Sequence, residues 1–197
     1  MPTNPSQATN SAAGSASSVV SPNTTPGGIV AVERVASATR KVSLTLTNVP
    51  VLWDDNGATG AGAYVKLFDF PEGLIDIHGA VMNLTNITAT TQCLGASSSS
   101  VVASLGSAAA DTTNFTLTST EANVVPSTSM ATLSSSISTG GSGVSSGHVN
   151  LDGTASKAAL YLNLSANATD SVGDSDSTHL VTVSGTIDLV YEVIGDK

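Results

Sequence analysis

The chain has 197 residues, 40% apolar and only 11% charged, and fifteen acidic against six basic side chains give it a formal charge of −9. That length supplies the core of one sizeable domain, while the sign of the charge opposes the phosphate neutralisation on which nucleic-acid binding depends. Seven aromatic residues and three histidines leave few groups for base stacking, sugar stacking or general acid–base catalysis, so neither nucleic acid nor enzymatic turnover is expected.

Residues 1 to 28 hold four of the seven prolines, Pro2, Pro5, Pro22 and Pro26, and only Met1, Val19 and Val20 as large apolar side chains. Such a stretch buries too little to order itself and reads as an extended arm that a partner surface would hold. It carries neither the basic nor the apolar region of a secretory signal, and no run of 18 apolar residues occurs, so a soluble chain made in a cytoplasm, with no membrane partner, is expected. From Ile29 to Val35 the apolar spacing fits neither the helical nor the strand period, leaving a short helix or an edge strand open. Val42 to Asn48 alternates with period two and predicts a half-buried strand, followed by Pro50 and Val51-Leu-Trp53. Turn residues from Asp54 to Gly62 lead to a strand over Ala63 to Phe70, and Pro71-Glu-Gly73 closes it.

Leu74 to Thr88 predicts one long strand, bent or bulged at Gly79 where no Cβ is needed. Val101 to Leu105 and Thr113 to Thr118 follow at hairpin spacing. Between Glu121 and Gly147 the sequence is mostly Ser, Thr, Gly and Ala around Met130, Leu133 and Ile137, which predicts one weak strand. Two strong strands, Lys157 to Ser165 and His179 to Ile194, end the chain on either side of an acidic loop from Asn167 to Ser177. About eight strands with almost no helical periodicity predict an all-β fold, an eight-stranded jelly-roll-like β-sandwich with an extended N-terminal arm. Residues 1–41 are the arm and linker, and 42–197 the sandwich. An immunoglobulin-like sandwich is the structural rival, but its Cys and Trp spacing is absent.

Candidate chemical sites are sparse. His78, His148 and His179 share no H-x-H or H-E-x-x-H spacing, so neither a metal centre nor a cofactor is expected. Asp170, Asp174 and Asp176 could offer oxygens to Ca²⁺, but their spacing is not that of an EF-hand loop, and a solvated acidic turn accounts for them. Trp53 beside Asp54 and Asp55 is a single sugar-site-like pairing. Cys93 has no basic neighbour in sequence to activate a thiolate. No G-x-S-x-G nucleophile motif occurs, and no catalytic residue is assigned. The N-x-S/T triplets beginning at Asn23, Asn83, Asn86, Asn114, Asn163 and Asn167 follow from the Ser and Thr content.

Charge is the uneven feature. Residues 1–41 contain Arg34, Arg40 and Lys41 against Glu33, a net of +2, whereas 42–197 contain three lysines against fourteen acids, a net of −11. This pattern makes Arg34, Arg40 and Lys41 candidates for docking the arm and linker on an acidic partner.

The stretch Ala63-Tyr-Val-Lys-Leu-Phe-Asp-Phe-Pro-Glu-Gly-Leu-Ile-Asp-Ile-His-Gly-Ala80 and the ending Val183-Ser-Gly-Thr-Ile-Asp-Leu-Val-Tyr-Glu-Val-Ile-Gly-Asp196 resemble the jelly-roll decoration, or cement, proteins of tailed-bacteriophage heads. About a third of the chain carries the resemblance, through strand residues and no catalytic signature. It implies a virion protein on the outer capsid surface, a homotrimer that bridges major capsid protein subunits and stabilises the head. The competing classes are a receptor-binding or fibre-associated virion module and a glycan-binding β-sandwich. A fibre module would carry shaft repeats, and a glycan binder several exposed aromatics.

Overall fold

A computed structural model of the chain describes residues 18–20, 28–36, 38–55, 61–89, 99–110, 116–133, 139–145, 147–167 and 179–195. Its strands are β1 (Ser18–Val20), β2 (Ile29–Ala36), β3 (Thr39–Asp55), β4 (Ala61–Asp69), β5 (Gly73–Ala89), β6 (Ser99–Gly106), β7 (Val125–Leu133), β8 (Thr139–Val144), β9 (Val149–Gly153), β10 (Ala159–Asn167) and β11 (His179–Gly195), with one 3₁₀ turn at Ser119–Glu121. No helix among the described residues is long and apolar enough to cross a membrane.

Every ladder is antiparallel, and the main hydrogen-bonded order is β7-β6-β10-β4-β3-β11-β5-β8. β8 and β9 pair with successive halves of the same edge of β5, Val81 to Ile87 and Gly73 to Ile77, and so act as one strand interrupted between Val144 and Val149. Counting that pair once and setting β1 and β2 aside, the roll has eight positions in chain order. Positions one, eight, three and six make one layer (β3, β11, β5, β8/β9), and two, seven, four and five the other (β4, β10, β6, β7). That nested pair of Greek keys is the jelly roll expected from the sequence, and its strand order excludes the immunoglobulin-like alternative.

Among the described residues the layers are joined in one ladder by three residue pairs, Trp53 to Asp55 against Ala63 to Ala61. Beyond this corner they face each other across a single core, in which Phe68 of β4 and Phe70 just after it meet Tyr191 of β11 edge-on at centroid distances of 6.2 and 5.1 Å. At the far side β7 lies against β8. A Cβ on Gly143 would fall 2.8 Å from both Thr128 Oγ1 and Val125 Cγ1, and one on Gly141 would fall 2.6 Å from Met130 Sδ. The glycines that made residues 139–144 look like loop are what allow this approach.

In the first layer the inward residues change parity at two levels. Ile75 and Ile77 point to the core, and then Ala80, Met82 and Leu84 do, because His78 is an extra residue opposite the Val190–Tyr191 step of β11. This is the bulge expected at Gly79. A second irregularity surrounds Ser184 and Gly185, where β3 and β5 each carry one extra residue. Asn48 takes a positive φ of 48° there, and its N–H donates to Ser184 Oγ, which donates to Asn48 Oδ1. β3 runs on from the alternating stretch Val42 to Asn48 through Pro50 to Asp55. Pro50 sits where neither β2, which ends its pairing at Leu46, nor β4, which begins at Trp53, covers that edge.

One open reading is resolved and two expectations change. Ile29–Ala36 is an edge strand on β3, and Ser18–Val20 adds to its outer side. The hairpin partner of β6 is β7, not the stretch from Thr113: Thr116 to Thr118 lie outside any strand, and residues 113–115 lie outside the described residues. The segment from Glu121 to Gly147 contains two strands instead of one, and β9 follows.

Candidate functional site

The outer face of the first layer carries the densest group of titratable side chains among the described residues. Strand alternation turns Asp76 and His78 to the same side of β5, and the bulge after His78 keeps Gly79 on that side too. Directly opposite, the break between β8 and β9 delivers His148, next to Val149, whose register partner is Ile77. Ser145 anchors the break: its N–H donates to the carbonyl of Ala80, and the N–H of Ala80 donates to its Oγ.

His148 Nδ1 lies 3.2 Å from both carboxylate oxygens of Asp76. His78 Nε2 lies 3.3 Å from Asp76 Oδ2 and 3.6 Å from Glu192 Oε2, on the neighbouring strand β11. The imidazole rings are 4.9 Å apart at 32°, and one ligand atom from each of Asp76, His78 and His148 falls within 4.8 Å of the others. These residues are 72 positions apart at the extremes, so spacing in the sequence could not reveal the group. The third histidine, His179, starts the opposite end of β11, paired with Trp53. Alongside lies an open groove of about 590 Å³ whose walls include Lys41, His78, Val81, Val144, Ser145 and Asp188. Val81 and Val144 are register partners and both exposed.

The three basic candidates do not form one patch. Arg34 and Lys41 are register partners on this outer face, and Lys41 Nζ is 3.5 Å from Asp188 Oδ1, which also accepts from Ser43 Oγ. Arg40 turns to the opposite side, where its guanidinium lies 3.3 Å from Glu33 Oε1, the oxygen that accepts the hydroxyl hydrogen of Tyr191. Burial first, and then the Glu33 carboxylate, push the Tyr191 phenol above its ordinary pKa. The side chains of Trp53, Asp54 and Asp55, together with Cys93 and the loop containing Asp170, Asp174 and Asp176, lie outside the described residues. Asn163, the start of one N-x-S triplet, is fully buried and so is no glycan acceptor in the folded chain.

No protein-family model and no curated protein matches the sequence. Among solved structures the chain is similar to one titled "Structure of infectious bursal disease virus Gx strain", at 12% identity and a TM-score of 0.35. The match covers 92% of this chain and spans 40% of the length of that one.

Proposed function

We propose that the protein is a structural component of a virus particle: a decoration protein that seats as a homotrimer on the outer surface of a tailed-phage capsid, binds the major capsid protein and stabilises the head. The observation that best supports this reading is where the phage-like sequence falls in the fold. Residues 63–80 form β4 and the first half of β5, and 183–196 lie largely in β11, which pairs with β5 from Val181 to Gly195. The two stretches meet in space, contributing Phe68, Phe70, Ile75, Ile77 and Tyr191 to one core. The resemblance is thus carried by the residues that build the roll, which suits a binding module and assigns no turnover.

A hydroxyl-rich, acidic surface favours association through many weak contacts over a broad face, with arm and edge strand adding area. Co-sedimentation of the purified chain with heads stripped of it tests the reading. Saturable binding at a copy number set by the three-fold positions of the lattice is expected. Failure to bind heads, with retention on tails, fibres or host glycans, would replace it with a receptor-binding or glycan-binding role.

A further inference from the structure

We infer that Asp76, His78 and His148 form a binding site for one divalent transition-metal ion of the zinc class, with Glu192 at its edge. A tetrahedral ion holding nitrogen and carboxylate oxygen at about 2.0–2.2 Å needs ligand atoms about 3.3–3.6 Å apart. The pairs His148 Nδ1 to Asp76, His78 Nε2 to Asp76 and His78 Nε2 to Glu192 stand at 3.2, 3.3 and 3.6 Å. Two neutral imidazoles and two carboxylates carry a combined charge of −2, which a divalent ion neutralises. Imidazole donors select zinc, copper or nickel over the all-oxygen coordination of calcium and magnesium.

The backbone also prepares the site. Asp76 and His78 sit two apart on β5, their orientation fixed by the bulge, while His148 comes from the break in the strand paired to them. The two ends of that break, Val144 and Val149, are held in register on β5. Most of the backbone ordering is therefore complete before an ion arrives. A bound ion would tie His148 to β5 beside the adjacent groove. Its role is that of a clip between strands, independent of the capsid reading.

The test uses the full-length chain, stripped with chelator and titrated with zinc at neutral pH by calorimetry, with melting followed in parallel. One ion per chain and a raised melting temperature are expected. His78→Gln and His148→Gln should each weaken binding by about 100-fold or more, and His179→Gln should leave it unchanged. Both site histidines are partly exposed, with side-chain exposures of 32% and 64%, so the metal-free variants should melt close to the parent, which separates lost binding from lost folding. Absence of saturable zinc binding, or binding that survives both substitutions, would overturn the inference.

Discussion

Asn163 shows how a single polar side chain can organise a loop. Fully buried on β10, it accepts from the N–H of Ala110 at 2.8 Å and donates from Nδ2 to the carbonyls of Ala108 and Glu121 at 3.0 and 2.8 Å. Ser104 on the adjacent strand β6 donates to the same Glu121 carbonyl. Ala108, Ala110 and the 3₁₀ turn ending at Glu121 are thereby tied to β10 and β6. Asn163→Ala should cost about 2–4 kcal/mol in chemical denaturation, since buried backbone groups left unpaired cost about 1–3 kcal/mol each, and a loss below about 1 kcal/mol would contradict this account. The Tyr191 phenol supplies a pH dependence. Its folded pKa is raised above the unfolded value near 10, so the stability it contributes is fully present below about pH 10 and is lost as pH rises above it. Denaturation midpoints from pH 8 to 11 should fall at the alkaline end, and more shallowly in Tyr191→Phe.

At the scale of strands, the two bulges fix which residues face inward, and they differ in how readily the sequence discloses them. The bulge at Gly79 shows as a glycine within an alternating run. The one at Asn48, Thr85 and Gly185 is divided among three strands, and only the change of parity from Leu46 to Val49, with Asn48 between, marks it in β3. Gly185 has a φ of 154°, and a Cβ there would come within 2.3 Å of the Asn83 carbonyl oxygen. At Gly143 the nearest atoms to an added Cβ belong to side chains, at 2.8 Å. Gly185→Ala should therefore destabilise by about 3 kcal/mol and Gly143→Ala by less, within the range for overpacking and backbone strain; thermal melts of the two variants check the order. Strands β4, β5, β10 and β11 were readable because alternating Val, Leu and Ile residues mark a half-buried surface. β7 and β8 were obscured because close approach of the layers selects Gly, Ser and Thr there, which also compose loops, and β9 because its five residues are too few to show a period. The His78–His148 group was unreadable for a different reason: only the pairing of β5 with β9 brings Asp76 opposite the residues after His148.

For the whole molecule, the N-terminal strands extend one edge of the roll, β1 pairing with β2 and β2 with β3. The described part of residues 2–28 meets the rest of the fold through three residue pairs between β1 and β2 and through the Gly28 carbonyl, which accepts from the Thr47 N–H at 2.8 Å, at the outer edge of the first layer. Deleting residues 2–28 should leave the melting temperature of the β-domain nearly unchanged while weakening retention on particles, as measured by wash-off from decorated heads. Replacing Arg34, Arg40 and Lys41 by Ser should weaken docking further and flatten its salt dependence. That triple variant should also lose some intrinsic stability, because Arg40 and Lys41 pair with Glu33 and Asp188, whereas the arm deletion should not. The measurement that bears most directly on the proposed role is electron microscopy of purified virions labelled with antibody against this chain. Label distributed over the whole head at the symmetry of the capsid lattice is the predicted result; label confined to the tail or its fibres would contradict it.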